Sequence, residues 1–170
     1  MPARQLHGER VVLRPRTELD AERVAEIRAL PEVARWWRKR DADYTRSKLA
    51  DDDLTCWVVE LDGVAIGFVQ AHEEKDPEYR HAGVDLFLDP GFHGRGLGQD
   101  AVRTASRYLL EERGHHRLVI DPAAANTRAI RCYEAVGFRR VGVLRSYWWD
   151  HVEERWADGL LLDLLADELR

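Results

Sequence analysis

One stretch of the sequence combines a strand, a glycine-rich turn and the beginning of a helix. Residues 84–99 read as an apolar strand, a Pro–Gly break, three alternate glycines (Gly94, Gly96 and Gly98) and a helical run. Such a junction directs free backbone N–H groups and the positive end of a helix dipole at one point, where a phosphate can bind. Glycine suits these positions because a Cβ would hold the ligand away from the backbone. The stretch therefore predicts a phosphate-bearing ligand.

The composition is typical of one soluble globular domain covering residues 1–170. Hydrophobic residues make up 45% of the chain and charged residues 34%. No apolar run approaches the roughly 20 residues that a membrane helix needs, and the first ten residues lack the apolar segment of a secretory signal. Cys56 and Cys132 are isolated, and the histidines lack the spacing of metal ligands. We therefore expect a cytoplasmic protein with free thiols and no metal.

The charge of the chain limits its partners. The net charge is −5 and there is no basic tract, which argues against a nucleic-acid partner. An acidic protein favours cationic partners, although the same charge can serve solubility alone. We expect no membrane partner, and the sequence is compatible with either a monomer or a homodimer.

The order of the predicted elements indicates a mixed α+β fold. A strand at 9–14 precedes helices that begin at Thr17 and Pro31, and strands at 56–61 and 64–71 flank an Asp-Gly pair typical of a type I′ turn. The other predicted elements are a strand at Ala82–Leu88, a helix at 97–113, a strand at Arg117–Ile120, a helix at 126–136, a strand from Phe138, a loop at 148–150 and a last strand at 159–165. This order predicts a mostly antiparallel twisted sheet with one β-α-β unit and flanking helices.

Two other phosphate-binding motifs fit the glycine turn less well. A P-loop requires Gly-Lys-Ser/Thr after its glycines, whereas this chain has Gly-Leu-Gly-Gln. A dinucleotide fingerprint requires GxGxxG, and here Gly98 comes one residue early, although Asp121 lies about where a ribose-binding acid would. The single β-α-β unit argues against a dinucleotide fold. A glycine turn without a ligand is the remaining alternative.

The turn resembles the pyrophosphate loop of the acetyl-CoA-dependent N-acetyltransferase (GNAT) superfamily. That loop has the form Gln/Arg-x-x-Gly-x-Gly/Ala, and residues 93–98 of this chain read His-Gly-Arg-Gly-Leu-Gly, with His93 where Gln or Arg is usual. Residues 126–138 resemble the family's downstream signature, N-x-x-A-x-x-x-Y-E-x-x-G-F. The resemblance implies a GNAT fold and acetyl-CoA as co-substrate. It places the following residues against CoA: Phe87, Leu88, His93, Gly94, Arg95, Gly96, Leu97, Gly98, Gln99, Asn126 and Tyr133.

Acetyl transfer to an amine requires a base for the amine, a donor for the developing oxyanion and a proton for the departing thiolate. The resemblance implies that Tyr133 is the acid, a role compatible with a core position under Phe138. Asp85 is the candidate base. It stands in an otherwise apolar strand, where period-two counting places it on the face of Phe87, and a carboxylate among apolar residues should have a raised pKa. A solvent-facing Asp85 is the alternative.

Within the superfamily, the chain resembles the aminoglycoside 6′-N-acetyltransferases. The segments that carry this resemblance are ARWW (34–37), IGFVQ (66–70), GVD (83–85) and IDPAAANTRAIRCYEAVGF (120–138). The resemblance implies direct transfer to the 6′-amine of an aminoglycoside, and hence antibiotic resistance. It places Trp37, Asp52, Asp53, Gln70, Asp85 and Asp121 around the amine substrate, with a solvated surface charge as the alternative for each acid. Another amine, such as a protein N-terminus or a siderophore lysine, and a catalytically silent CoA-binding module are the alternative functions.

Overall fold

A single sheet of eight strands runs through the computed structural model, which describes residues 3–47 and 53–170. The strands are β1 (Leu6–His7), β2 (Val12–Pro15), β3 (Leu54–Leu61), β4 (Val64–Glu73), β5 (Ala82–Leu88), β6 (Arg117–Ile120), β7 (Arg139–Asp150) and β8 (Arg155–Leu165). Their order in the sheet is β1-β2-β3-β4-β5-β6-β8-β7, and every pair is antiparallel except β5 and β6. The predicted α+β fold, with a mostly antiparallel sheet and one parallel pair, is confirmed.

Helices cover both faces of the sheet. They are α1 (Ala21–Ala29), α2 (Pro31–Ala34), α3 (Ala42–Ser47), α4 (Leu97–Arg107) and α5 (Thr127–Val136). The buried cluster beneath α1 contains Ile27 and Phe87, whereas Val84 and Leu88 belong to the larger core beneath α4 and α5. Asp85 therefore shares the α1 face of β5 with Phe87, as the alternation of side chains predicts. No helix among the described residues is long and apolar enough to span a membrane.

The two central parallel strands diverge after a short stretch of pairing. β5 pairs with β4 along its whole length, from Ala82 to Leu88, but it pairs with β6 only at Ala82 and Gly83. The loop and α4 that connect these strands cross one face of the sheet, as the connection of a parallel pair requires. From Val84 onwards, one edge of β5 has no strand paired with it. This edge faces the widening gap between β5 and β6, which we call the wedge.

The glycine turn depends on backbone conformation at two positions. Gly94 has a φ of 73° and Gly96, which precedes α4, has a φ of 75°, values that strain any residue with a Cβ. At Gly98, in contrast, a Cβ would lie 3.5 Å from Leu88 and 3.6 Å from Cys132, at ordinary contact distances. Gly94 and Gly96 are therefore required by the shape of the turn itself, apart from any clearance that a ligand needs.

The end of the chain differs from the sequence-based prediction. Residues 148–150, predicted as a loop, lie in β7 opposite residues 155–157 of β8. The aromatic residues extend the pairing, because the Trp149 and Trp156 rings pack edge to face across the two strands with centroids 5.6 Å apart. The predicted helix at 97–113 also ends earlier, since α4 stops at Arg107 and a wider helical turn continues to Glu112.

The side chain of Asp100, on α4, binds the backbone of residues 9–11. This carboxylate is 4% exposed and accepts hydrogen bonds from the backbone N–H groups of Glu9, Arg10 and Val11, at 3.0, 2.8 and 3.0 Å. The sequence predicted a strand from residue 9, whereas β2 begins at Val12. The hydrogen bonds explain the difference, because the N–H groups of residues 9–11 are directed at Asp100 instead of a neighbouring strand.

We expect Asp100→Ala to lower the free energy of unfolding by about 2–4 kcal/mol, because three backbone donors lose a charged acceptor in a buried place. Urea denaturation of the purified protein measures this change. Asp43→Ala, which removes an exposed carboxylate on α3, is the control and should leave the midpoint unchanged. Equal urea midpoints for Asp100→Ala and the parent protein would contradict the stabilising role of Asp100.

Candidate functional site

A cleft of about 980 Å³ opens where β5 and β6 diverge. It extends from the glycine turn, along the free edge of β5, to the first turn of α5 and to side chains from α2 and β7. The sequence-predicted site residues that line it are Trp37, Asp85, Phe87, Leu88, His93, Gly94, Gly96, Leu97, Gly98, Gln99, Asp121, Asn126 and Tyr133. The structure thus brings residues from both sequence motifs into one cavity.

Besides Gln70, which pairs with Asp85 from β4, three predicted residues are not placed in this cleft. Asp52 lies outside the described residues. Asp53 is bound at the surface by Lys75, whose Nζ lies 2.6 Å from Oδ1. Arg95 does not line the cleft; its backbone carbonyl accepts a hydrogen bond from Arg10, and its guanidinium lies over the Phe92 ring, 5.5 Å from the centroid.

The Asp85 carboxylate lies on β5 beside the wedge. Gln70, directly opposite on β4, does not line the cleft but donates a hydrogen bond from its side-chain amide to Oδ2 of Asp85, at 3.2 Å. Burial raises the pKa of Asp85, and the negative charge of Asp121 raises it further, while the Gln70 hydrogen bond opposes the shift. A partly desolvated carboxylate of this kind can accept a proton from a bound amine.

Asp121 stands at the same level on the other side of the wedge. Gly83 of β5 pairs with Val119 of β6, and continuing this register two residues along places Asp85 opposite Asp121. Tyr147 donates a hydrogen bond from its hydroxyl to Oδ2 of Asp121. The hydrogen bond, together with burial, raises the pKa of Tyr147 to about 12. The carboxylates of Asp85 and Asp121 and the phenol of Tyr147 form a polar cluster at this end of the cleft.

Tyr147 reaches Asp121 because β7 is irregular. The pairing of β7 with β8 shifts between Leu144 and Trp148, and Ser146 within this bulge has a φ of 50°. The Tyr147 ring lies directly on Gly159 of β8, where an added Cβ would approach the ring to 2.6 Å. A bulge that re-aims a side chain leaves no periodic signal, so the sequence-based reasoning did not find Tyr147. A glycine within the last strand is the one signal that points to it.

The Tyr133 hydroxyl is held in its protonated form. Tyr133 lines the cleft, is 6% exposed and packs on Phe138 with ring centroids 6.2 Å apart. Burial raises its pKa well above the ordinary value of 10, and the negative charges of Asp85 and Asp121 add to this effect. The residue therefore combines a core position with a proton that is available to an acceptor in the cleft.

Aromatic side chains form the wall nearest α2. Trp37 packs edge-on against Phe87 with ring centroids 5.0 Å apart, and the Arg28 guanidinium lies 5.2 Å from the centroid of its ring. Trp36 and Trp148 also line the cleft, at a centroid separation of 6.3 Å. Sequence reasoning named Trp37 alone, since the contact between Trp36 and Trp148 joins residues far apart in the chain.

Arg35 joins this wall to the end of β7. Its guanidinium lies 4.4 Å from the Trp36 centroid and 5.9 Å from that of Trp148. It also donates to both carboxylate oxygens of the buried Asp150, at 3.1 and 2.9 Å. The bidentate pair fixes α2 against the β7–β8 hairpin at the mouth of the cleft.

Backbone donors point into the cleft from β5. The N–H of Asp89 donates to the carbonyl of Ile66 at 2.7 Å, and the alternation of an antiparallel ladder then turns the N–H of Phe87 towards β4 and the N–H groups of Leu86 and Leu88 towards the wedge. Phe87 and Leu88 were both predicted to contact CoA, and of the two only Leu88 has its amide directed into the cleft.

The first turn of α4 supplies further donors. The backbone N–H of Asp100 is the first in α4 to donate to a carbonyl four residues earlier, that of Gly96, at 3.1 Å. The N–H groups of Leu97, Gly98 and Gln99 come before it and therefore lie at the free N-terminal end of the helix. These three residues line the cleft beside the glycine turn. Such a cradle fits a phosphate, as the sequence pattern predicted.

Comparisons with known proteins agree with this geometry. The family model described as an acetyltransferase (GNAT) domain matches residues 10–139. The chain is 31% identical over 160 residues to an aminoglycoside N(6′)-acetyltransferase type 1 of Klebsiella pneumoniae, covering 82% of this chain and 79% of that protein.

Solved structures give the same result for the fold. RimJ of Mycobacterium smegmatis, solved in complex with CoA-disulfide, superposes with a TM-score of 0.85 at 22% identity, covering 99% of this chain and 90% of RimJ. AAC(6′)-Ib in complex with paromomycin and acetyl-CoA superposes with a TM-score of 0.78 at 26% identity, covering 94% of this chain and 96% of that one.

Proposed function

Because this chain belongs to the GNAT acetyltransferase family, we propose that it transfers the acetyl group of acetyl-CoA to the 6′-amine of an aminoglycoside. The observation that carries the proposal is the pair of carboxylates, Asp85 and Asp121, which both line the cleft and whose charges influence each other. An aminoglycoside carries several ammonium groups, which carboxylates bind through charge-assisted hydrogen bonds. Trp36, Trp37 and Trp148 add apolar ring surface that suits sugar rings and ammonium groups.

The wedge gives the two substrates access to one point. Asp85 lies on the α1 face of β5, whereas α4 and Tyr133 belong to the core on the opposite face. We therefore assign the α1 side, with Asp85, Asp121 and Tyr147, to the amine. The glycine turn and the first turn of α4 take the pyrophosphate of acetyl-CoA, and its acetyl group reaches the amine through the gap between β5 and β6.

The proposed reaction is a direct transfer. Asp85 takes a proton from the 6′-ammonium group, and the amine nitrogen attacks the thioester carbonyl carbon. The oxygen of the tetrahedral intermediate accepts hydrogen bonds from the free amides of β5, those of Leu86 and Leu88. The C–S bond then breaks, and Tyr133 gives its proton to the CoA thiolate. The nitrogen loses its remaining extra proton to the Tyr133 phenolate, which restores the phenol, and Asp85 releases its proton to solvent. The products are the acetylated aminoglycoside and CoA.

The relatives support the choice of acceptor. The Klebsiella protein is named for N(6′) acetylation of aminoglycosides, and the AAC(6′)-Ib structure holds an aminoglycoside together with acetyl-CoA. Acetylation removes a cationic amine from the drug, so the proposed reaction would confer resistance. The cytoplasmic location is also part of the proposal, and it is supported by Cys56 and Cys132, both described residues, which form no disulfide.

A thiol-release assay with acetyl-CoA and a panel of amines tests the acceptor. We expect release with kanamycin and with neomycin, and release at least about 100-fold slower with paromomycin, which carries a 6′-hydroxyl where neomycin has the 6′-amine, because an alcohol is a far weaker nucleophile than a deprotonated amine. Release with short peptides but not with aminoglycosides would contradict the proposal and favour a protein N-terminus. Equal rates with neomycin and paromomycin would exclude the 6′ position.

A further inference from the structure

We propose that His93 is a positioning residue that holds Arg128 beside the glycine turn, where Arg128 binds the pyrophosphate of acetyl-CoA. This inference rests on the use of acetyl-CoA in the proposed function, but not on the identity of the amine. Both side chains line the cleft, His93 directly before Gly94 and Arg128 in the first turn of α5.

The His93 ring joins two elements that are distant in sequence. Nε2 lies 3.1 Å from the carbonyl oxygen of Leu88, at the end of β5. Nδ1 lies 2.7 Å from Nη1 of Arg128, 35 positions along the chain. A carbonyl can only accept and a guanidinium can only donate, so both contacts are satisfied by a neutral ring that carries its proton on Nε2. Burial and the charge of Arg128 lower the pKa of His93, which favours this neutral form.

Arg128 occupies a position that favours an anionic ligand. A cation in the first turn of a helix lies against the positive end of the helix dipole, which disfavours it unless an anion is present. Among the described residues, no carboxylate forms an ion pair with Arg128. Asp89, close enough to influence the His93 ring, is itself paired with Arg23 at 2.9 Å. Glu32, which also influences the ring, lies on α2 with an exposed side chain.

Three sources of positive potential thus meet beside the glycine turn. They are the N-terminal ends of α4 and α5, the latter capped by the Asn126 side chain, and the guanidinium of Arg128. A diphosphate group satisfies all three, because it presents several acceptor oxygens and at least two negative charges within a short span. In this arrangement His93 contacts the protein on both sides, and Arg128 contacts the ligand.

Calorimetric titration of the whole protein with CoA, and separately with 3′-dephospho-CoA, tests the assignment without any amine present. We expect Arg128→Ala to weaken the binding of both ligands by about 10–30-fold, the loss of one charge-assisted contact to a phosphate. Arg107→Ala removes an equal charge from an exposed position at the end of α4, and it should change either affinity by less than about 2-fold.

Two results of this titration would overturn the proposal. One is unchanged CoA binding by Arg128→Ala. The other is a loss seen with CoA but not with 3′-dephospho-CoA, which would assign Arg128 to the 3′-phosphate. Failure of the aminoglycoside proposal would leave CoA binding intact, so the two failures are distinguishable.

A double-mutant cycle tests the positioning role of His93. His93→Phe should weaken CoA binding by about 3–10-fold when Arg128 is present and have no further effect when Arg128 is already Ala, because His93 acts through it. His93→Gln, which keeps one donor and one acceptor, should restore binding to within about 2-fold of the parent protein. In steady-state kinetics His93→Phe should raise KM for acetyl-CoA by a larger factor than it lowers kcat, since the role is in binding. Additive losses, or no rescue by Gln, would contradict the role.

Discussion

Asp85→Asn should lower kcat for aminoglycoside acetylation by about 10²–10⁴-fold, the usual contribution of a general base, and leave the affinity for CoA unchanged. Asparagine keeps the volume and the hydrogen-bonding reach of the side chain but cannot take the proton of an ammonium group. Steady-state kinetics with saturating acetyl-CoA measure the change, and calorimetric titration with CoA checks the binding. Asp121→Asn, in the same cleft, is the comparison, since it should raise KM for the amine more than it lowers kcat.

The pH dependence provides a second measurement on Asp85. Its pKa is raised above the ordinary 3.8, and the carboxylate acts as a base only when ionised. As the pH falls through the raised pKa, the base becomes protonated, so kcat/KM of the parent protein should fall on the acid side at a higher pH than an exposed aspartate would give. Asp85→Asn should lose this limb of the profile. Persistence of the limb would place the base elsewhere, for example in a chain of water molecules.

Tyr133→Phe should lower kcat by about 100-fold, because it removes the proton that the departing thiolate takes and leaves the aromatic packing on Phe138 in place. The raised pKa of Tyr133 keeps that proton on the hydroxyl throughout the neutral range. Single-turnover kinetics of CoA release measure the chemical step directly.

Tyr108→Phe is the matched control for Tyr133→Phe. Tyr108 is a buried tyrosine that packs edge-on against Trp57, with ring centroids 5.7 Å apart, and it does not line the cleft. The Tyr108→Phe variant should have the same kcat as the parent protein. If Tyr133→Phe retains kcat to within about 3-fold, water or the attacking ammonium group supplies the proton instead.

Local patterns were sufficient to predict the centre of the molecule. Alternation along β5 predicted that Asp85 and Phe87 share a face, and the glycine spacing predicted the cradle at the start of α4. Both are properties of a few consecutive residues, in which side-chain direction follows directly from the backbone repeat.

The rest of the cleft depends on contacts between distant segments. Tyr147 meets Asp121 through a bulge, and Arg128 meets His93 through the packing of α5 beside the glycine turn. No short-range periodicity encodes such contacts. The same reason explains why Trp148 was predicted in a loop, since its strand partner, Ala157, and its ring partner, Trp36, come from other elements.

The irregular β7–β8 hairpin lies at one edge of the sheet, apart from β5 at the centre of the cleft. The hairpin contributes Tyr147 and Trp148 to the cleft from the outermost position of the sheet, whereas Asp85 and the glycine turn belong to its centre. An inserted or deleted residue near the bulge would exchange the side chains offered to the amine without altering β5 or the start of α4. In the proposed function, a change in this hairpin would therefore alter the choice of acceptor and leave the proposed catalytic residues in place.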